Sequence, residues 1–384
     1  MKMLIIQLLL ISFIYSQKLT FQTSLFNHLY NKPNENICIS PLSIYQIISL
    51  ISNGASGVTQ IEILKALVPD SKINKKSLLK INDVNYKILN IYSNNKYVKI
   101  ANAVMTNEKI KPHFLKFCKK YNASIQPLNN VDQVNKWCKE KTNGKIPKII
   151  DKLSETTKMI LLNAVYFKAN WEKQFKKELT KKKEFKNSNN QIVQVDTMYQ
   201  SFDSINYYED NKIQMIELPY EDNHLSMVII LPKKEVYSSS LNYLKKERTD
   251  FTKLVKKLTP TSDVDLYLPK FKLEYKTYLN NVMNKMGMKL AFTNSAKFSN
   301  LNEGFPLKID QIIHKTFIKV DEKGTEAAAV TAIMVPAGAL PFEEKQTKYM
   351  YVDHSFIYMI RDKRIKDMNG NDMMLFTGVV NTLK

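Results

Sequence analysis

Glycine is scarce, with 9 residues in 384, and the chain carries only 3 cysteines, 2 tryptophans and 5 histidines. So little glycine excludes a collagen-like chain. Cys38, Cys118 and Cys138 cannot build a disulfide scaffold, and they show no paired metal-ligand spacing. Their odd number leaves a disulfide-linked dimer open. His28, His113, His224, His314 and His354 are scattered, with no HxxxH pair among them. The phosphate loop, the GxGxxG fingerprint and the GxSxG elbow are all missing. Nothing local points to a catalytic centre, a metal or a cofactor, so the chain reads as a non-enzyme. Past the first residues there is no run of eighteen apolar side chains, which speaks against stable membrane insertion.

What is present is ordinary globular composition, 44% hydrophobic and 24% charged. Such a length exceeds the usual single domain, so two domains or one large mixed fold is expected. The start reads as a signal peptide over residues 1–16. Lys2 gives a basic start, Leu4–Ile14 is apolar apart from Gln7 and Ser12, and Ile14 and Ser16 suit a cleavage site before Gln17. A secreted, extracellular protein of residues 17–384 is therefore expected.

Basic residues number 57 against 36 acidic ones, a formal charge of +21. Removal of Lys2 leaves 56 against 36, about +20. Outside a cell this charge favours polyanions such as glycosaminoglycans over nucleic acid. The lysines are spread along the chain, as on an ordinary solvated surface. Asn122-Ala123-Ser124 is a glycosylation sequon.

The patterning changes along the chain. Asn36–Ser40 reads as a short strand running into Ser40-Pro41, a helix-start pair, and the apolar spacing of Leu42, Ile44, Ile47, Ile48 and Ile51 is helical up to Gly54. Asp132–Thr142 is helical, with Val134, Trp137 and Cys138 on one side. Met159–Phe167 is nearly all apolar, as in a strand buried on both faces, and Asn163 interrupts it. Later segments alternate or pair as strands: Met215–Pro219 with Leu225–Pro232 around Asp222-Asn223, Val264–Leu268, 312–320 and 373–380. Asn280–Met286 is a short helix ended by Gly287. Helices early and strands late give an α+β class.

One segment is unusual. From Ala327 to Phe342 there is no charge, and most side chains are small. Its alanines favour a short helix broken at Pro336, whereas Val330, Thr331 and Ile333 sit well in a strand. With Gly324 before it and Gly338 and Pro341 inside, it also suits a segment that switches between exposed loop and strand.

In several blocks the chain resembles the serpins. They are NICISPLSI (36–44), NGASGVT (53–59), VNKWCKEKTNGKIPKII (134–150), NAVYFKANWEKQF (163–175), MIELPY, LSMVIILP, LPKFKLE, IHKTFIKVDEKGTEAAAVTA and LFTGVV (375–380). All fall in the family's order. The resemblance implies a large central sheet with smaller sheets, about nine helices and an exposed reactive-centre loop at about 324–347. Three departures are Glu62 where glutamine is common, Ser355 before Phe356 where many members have proline, and Thr382 where proline is usual.

The implied activity is suicide-substrate inhibition of a serine protease, without cofactor, by a monomer. The cleaved loop inserts into the central sheet and traps the acyl-enzyme. The hinge would be Gly324, Thr325, Glu326, Ala327, Ala328 and Ala329, which offers backbone freedom and little bulk. If roughly a dozen residues gain ladder bonds at about 1 kcal/mol each, insertion gains on the order of 10 kcal/mol. Family spacing puts the scissile bond at Gly338-Ala339, with Leu340-Pro341 and Phe342-Glu343 as alternatives. No lysine or arginine lies between Gly324 and Glu344. Elastase-like or chymotrypsin/cathepsin G-like targets therefore fit better than trypsin-like ones. Ser40, Ser43, Asn163 and His314 match the family's shutter beneath the sheet, and Trp171 its breach, where the loop first enters. Lys72, Lys75, Lys76, Lys80 and Lys87 lie where some members bind heparin. The other expectation is a non-inhibitory member acting as carrier, chaperone or polyanion-binding protein.

Overall fold

The computed structural model describes residues 20–384 except 31, 70, 94, 248–249, 305, 326–345 and 369. The expected signal peptide, 1–16, and most of the expected reactive-centre loop therefore lie outside the described residues. Nine α-helices and sixteen strands are present among the described residues.

A seven-stranded sheet holds β2 (Val98–Thr106), β3 (Ala123–Gln126), β4 (Met159–Phe167), β5 (Ala169–Asn170), β11 (Phe271–Tyr278), β12 (Gln311–Asp321) and β13 (Gly324–Thr325). Its order is β3-β2-β4-β12-β13-β5, with β11 also on β12. The other nine strands form a second sheet. They are β1 (Ile37–Ile39), β6 (Lys181–Lys186), β7 (Ile192–Glu209), β8 (Ile213–Pro219), β9 (Leu225–Pro232), β10 (Thr259–Pro269), β14 (Lys348–Tyr351), β15 (Phe356–Lys366) and β16 (Asp372–Val380). The smaller sheets expected as separate units run together here, because β7 is 18 residues long and pairs with β6, β8 and β10 along its length.

The helix Pro41–Gly54 begins as its sequence dictates. Ser40 is the N-cap, its hydroxyl accepting from the Ser43 N–H, and Pro41 opens the first turn. All fourteen residues of this helix are buried, which explains its apolar sequence. It lies on one face of the seven-stranded sheet, and the helix Val131–Lys141 covers the other.

Strand β4 is buried at every position. Ile160, Leu162, Ala164 and Tyr166 pack with Val134, Trp137 and Cys138 of the covering helix. The alternate residues Met159, Leu161, Val165 and Phe167 join the main core with Leu42, Ile44 and Ile48. This is the period-2 consequence of a strand sandwiched between two layers. Asn163 points to the second of these sides.

Ser355 and Glu62, two of the departures, have work in this fold. The Ser355 hydroxyl donates to Asn381 Oδ1 at 2.7 Å and lies 2.9 Å from Ser240 Oγ. Glu62 Oε2 accepts from the backbone N–H groups of Lys289 and Leu290 at 2.9 and 2.7 Å. Cys38, Cys118 and Cys138 are all free and buried. Burial pushes the Cys38 thiol up to about 11 and those of Cys118 and Cys138 up to about 12. The disulfide-linked dimer therefore has no exposed thiol among the three from which to form. No described helix is long and apolar enough to cross a membrane.

Candidate functional site: hinge, breach and shutter

Strands β4 and β12 run parallel and pair directly from Ile160 with Gln311 to Tyr166 with Phe317. Beyond Phe317 they diverge. β12 continues to Asp321, the chain turns at Glu322-Lys323, and Gly324–Thr325 comes back as β13. That two-residue strand sits between β12 and β5, antiparallel to both: Val320 faces Thr325, Gly324 faces Asn170, and Thr325 faces Ala169. Gly324 and Thr325, the first residues of the expected hinge, thus lie inside the sheet at the end of the parallel pair.

The fit at Gly324 admits no side chain. A Cβ would stand 2.2 Å from the Ala169 carbonyl oxygen and 2.6 Å from the Asn170 Cα, and φ is +151°. Thr325 is fully buried, and its hydroxyl lies 2.7 Å from the phenol oxygen of Tyr220. Tyr220 stacks on Trp171, with ring centroids 4.5 Å apart and planes 11° apart. The Trp171 indole N–H donates to the Asp321 carbonyl at 3.0 Å, and its backbone N–H donates to the Lys323 carbonyl at 2.9 Å. Trp171 therefore holds the turn between β12 and β13 from two sides.

Glu322, at that turn, accepts from Thr180 Oγ1 at 2.9 Å and Lys270 Nζ at 3.1 Å. Burial alone would raise its carboxyl. Donation from its own backbone N–H, with Lys270 and Thr180, outweighs that and holds the group below the usual glutamate range.

The shutter residues meet on the face turned to the helix Pro41–Gly54. Register places Asn102 of β2 opposite Asn163 of β4, and Asn163 opposite His314 of β12. Three polar side chains thus form a row across the three central strands. The Ser40 backbone N–H donates to His314 Nε2 at 3.1 Å. With that nitrogen an acceptor, the proton sits on Nδ1 and is donated to Asn163 Oδ1 at 2.5 Å. The Asn163 amide then donates to Asn102 Oδ1 at 2.5 Å, to the Ser43 carbonyl at 3.2 Å, and to the Ser43 hydroxyl. His314 is wholly buried, and desolvation lowers its pKa to about 3. The imidazole is neutral at physiological pH, as its acceptor role requires.

Ser40, Ser43, Asn163 and His314 are thus brought together, and Trp171 lies beside Gly324 and Thr325. Glu326, Ala327, Ala328 and Ala329, and the candidate bonds at Gly338, Ala339, Leu340, Phe342 and Glu343, lie outside the described residues. Sequence reasoning missed Asn102 and Tyr220. A signal for Asn102 existed: it is a lone amide in the apolar run Ile100–Met105, as Asn163 is in β4. Nothing local marked Tyr220, whose role depends on a residue 105 positions away. Lys72, Lys75, Lys76, Lys80 and Lys87 are all exposed, and none of them forms an ion pair among the described residues. Asn122 is exposed at a turn with φ 49°. Among the described residues there is no group of three or more histidine, cysteine, aspartate or glutamate side chains placed to hold a metal.

One sheet thus brings together a central parallel strand pair, the short strand Gly324–Thr325 beside it and a buried polar row across it. Residues 16–382 match the family model described as Serpin (serine protease inhibitor). The chain belongs to the serpin family. It is 34% identical over 363 residues to an uncharacterized serpin-like protein of Methanosarcina mazei, covering 90% of this chain and 81% of that one. It is 33% identical to serine proteinase inhibitor 1 of Variola virus, covering 91% of this chain and 94% of the viral one. Among solved structures, native tengpin, a thermophilic serpin, matches with a TM-score of 0.81 and 31% identity over 97% of this chain and 94% of its own. Thyroxine-binding globulin in complex with thyroxine matches at 0.78 and 26%, over 94% and 97%.

Proposed function

We propose that this chain is a secreted, monomeric suicide-substrate inhibitor of serine proteases. The observation that supports it is the seating of Gly324–Thr325 between β5 and β12. A chain running on from Thr325 enters between two parallel strands with the antiparallel direction already set. It then accepts and donates ladder bonds on both sides. The protease serine attacks the carbonyl carbon of the scissile bond. The ester C–O bond forms as the C–N bond breaks, and the new amine leaves with the C-terminal fragment carrying a proton. Insertion of the loop then pulls the ester-linked protease away and distorts it before water can cleave the ester.

Gly338-Ala339 is the proposed scissile bond, with Leu340-Pro341 and Phe342-Glu343 as alternatives. The absence of charge from Ala327 to Phe342, and of lysine or arginine between Gly324 and Glu344, favours elastase-like or chymotrypsin/cathepsin G-like targets. Incubation with neutrophil elastase, cathepsin G, chymotrypsin and trypsin tests this by mass spectrometry. The expected product is a covalent adduct stable to boiling in detergent, with a released peptide beginning at Ala339. A peptide beginning at Glu343 moves the bond to Phe342. Cleavage by every active enzyme with no adduct overturns the inhibitory reading.

A carrier role is the second reading, and the likeness to thyroxine-binding globulin favours it. That reading expects cleavage without an adduct. Two accessory features belong to the proposal. The exposed lysines Lys72, Lys75, Lys76, Lys80 and Lys87 would engage heparin or another polyanion, seen as salt-sensitive retention on heparin that is lost when they are neutralised. Asn122 would carry a glycan on the secreted protein, removable as a single mass decrement by an amidase specific for asparagine-linked glycans.

A further inference from the structure

Strand β14 stands last in the order of the nine-stranded sheet. Among the described residues it pairs only with β10, in parallel, from Val264 with Lys348 to Tyr267 with Tyr351. Tyr351 also stacks on Tyr267, with ring centroids 4.6 Å apart. So short a strand, bonded along one edge, opens easily unless something beyond it holds. What lies beyond it is the connection 352–355, which carries the chain across to β15.

His354 is the centre of that connection, and its side chain is 13% exposed. Nδ1 lies 2.6 Å from Oδ1 of Asp353, and Nε2 lies 2.7 Å from the carbonyl oxygen of Pro232, the last residue of β9. A carbonyl oxygen can only accept, and so can an ionised carboxylate. Burial alone would raise the Asp353 carboxyl. Donation from His354 and Lys234 outweighs that and holds it below the usual aspartate range, so it is ionised. A neutral imidazole has one N–H and would turn a bare nitrogen towards one of these two oxygens. Only the imidazolium donates to both.

The connection meets further segments as well. The Asp353 carbonyl accepts from the Lys186 N–H at the end of β6 at 2.8 Å, and the Val352 N–H donates to the Tyr267 carbonyl at 2.9 Å. The charged groups around the ring are Asp353 itself, Lys186 of β6, and Lys233 and Lys234 beyond β9. Lys233 is turned to Glu209, and Lys234 to Asp353 at 3.1 Å. We infer that His354 is a pH-operated latch, whose imidazolium pins the end of β14 to the end of β9. Loss of one proton as pH rises leaves a lone pair facing an acceptor, and β14 then rests on β10 and the tyrosine stack. The latch is closed in acid and open in alkali, the opposite sense to His314. Because β14 follows closely on residues 326–345, the latch sets how firmly the C-terminal end of that segment is anchored. It rests on the described strands and not on the inhibitory reading.

Amide hydrogen exchange at Val352 and Lys186, followed by NMR on the full-length mature protein and corrected for the intrinsic effect of pH, tests it. Between pH 6 and pH 8.5 the native protection is expected to fall about tenfold or more, as one charge-assisted hydrogen bond is lost. His354→Gln can donate to only one of the two acceptors, so weak protection is expected at both pH values. His354→Arg keeps a permanent charge and several donors, so its protection should change little with pH. In the native protein both ring nitrogens of His354, assigned by their loss in His354→Gln, should resonate as N–H nitrogens at pH 6. A bare ring nitrogen at pH 6 overturns the latch, whether or not either variant folds. So does native protection that is independent of pH, native-like protection in His354→Gln at pH 6, or an undiminished pH dependence in His354→Arg.

Discussion

Nδ1 of His314 donates to Oδ1 of Asn163 across 2.5 Å, while Nε2 of the same ring accepts from the Ser40 N–H. The ring thereby links the parallel strands β4 and β12 to the start of the helix beneath them. Each nitrogen has one role, and protonation of Nε2 would set two donors against each other.

Replacing His314 with phenylalanine leaves the Ser40 N–H and the Asn163 carbonyl oxygen buried without partners. A loss of about 2–4 kcal/mol in urea-denaturation stability is expected. A change within about 0.5 kcal/mol would mean that the polar row contributes little to holding the sheet closed.

The same residue sets a pH dependence. Its folded pKa is about 3 against 6.5 in the unfolded chain. Above 6.5 neither state binds the proton. Below it the unfolded chain is protonated first, so stability falls as pH drops from 6.5 towards 3. Urea midpoints measured from pH 7.5 to 4.5 should fall for the native sequence. In His314→Phe the decline should be shallower, and equal slopes would rule out His314 as a contributor.

Thr325 is fully buried between β5 and β12. Thr325→Arg forces a guanidinium into that slot or drives the hinge out of it. The variant is expected to be cleaved by the same protease at an undiminished rate while the covalent adduct drops at least tenfold. Adduct yield equal to the native protein's would show that seating at Thr325 does not control insertion.

Tyr220→Phe keeps the stack on Trp171 but removes the 2.7 Å contact with the Thr325 hydroxyl. The expected cost is about 1 kcal/mol, since Thr325 loses one buried partner. Thermal unfolding with Trp171 as fluorescence reporter measures it. A Tyr220→Phe protein as stable as the native one would mean that stacking alone holds the hinge.

Three thiols should be silent in the native protein and react with a disulfide reagent only on unfolding, because burial both shields them and raises their pKa values. Reaction of any one at native rates near those of a free thiol would show that its strand or helix opens locally.

Much of this protein is legible in its sequence because local physics suffices. Ser40-Pro41 starts a helix wherever it lies, Met159–Phe167 has the composition of a doubly buried strand, and Gly287 ends the helix before it. The amide in the middle of β4 announced a buried polar network without naming its members. The resemblance grouped Ser40, Ser43, Asn163 and His314, and only the tertiary structure added Asn102 and the bonds that join them. Asn102, Asn163 and His314 become neighbours through the register of three strands separated by 61 and 151 residues. The same holds at the hinge. Gly324 reads locally as a flexible residue, yet its carbon-free side is demanded by the backbone of Ala169 and Asn170. Side-chain type follows from sequence; close approach between distant strands follows only from how the sheets pack.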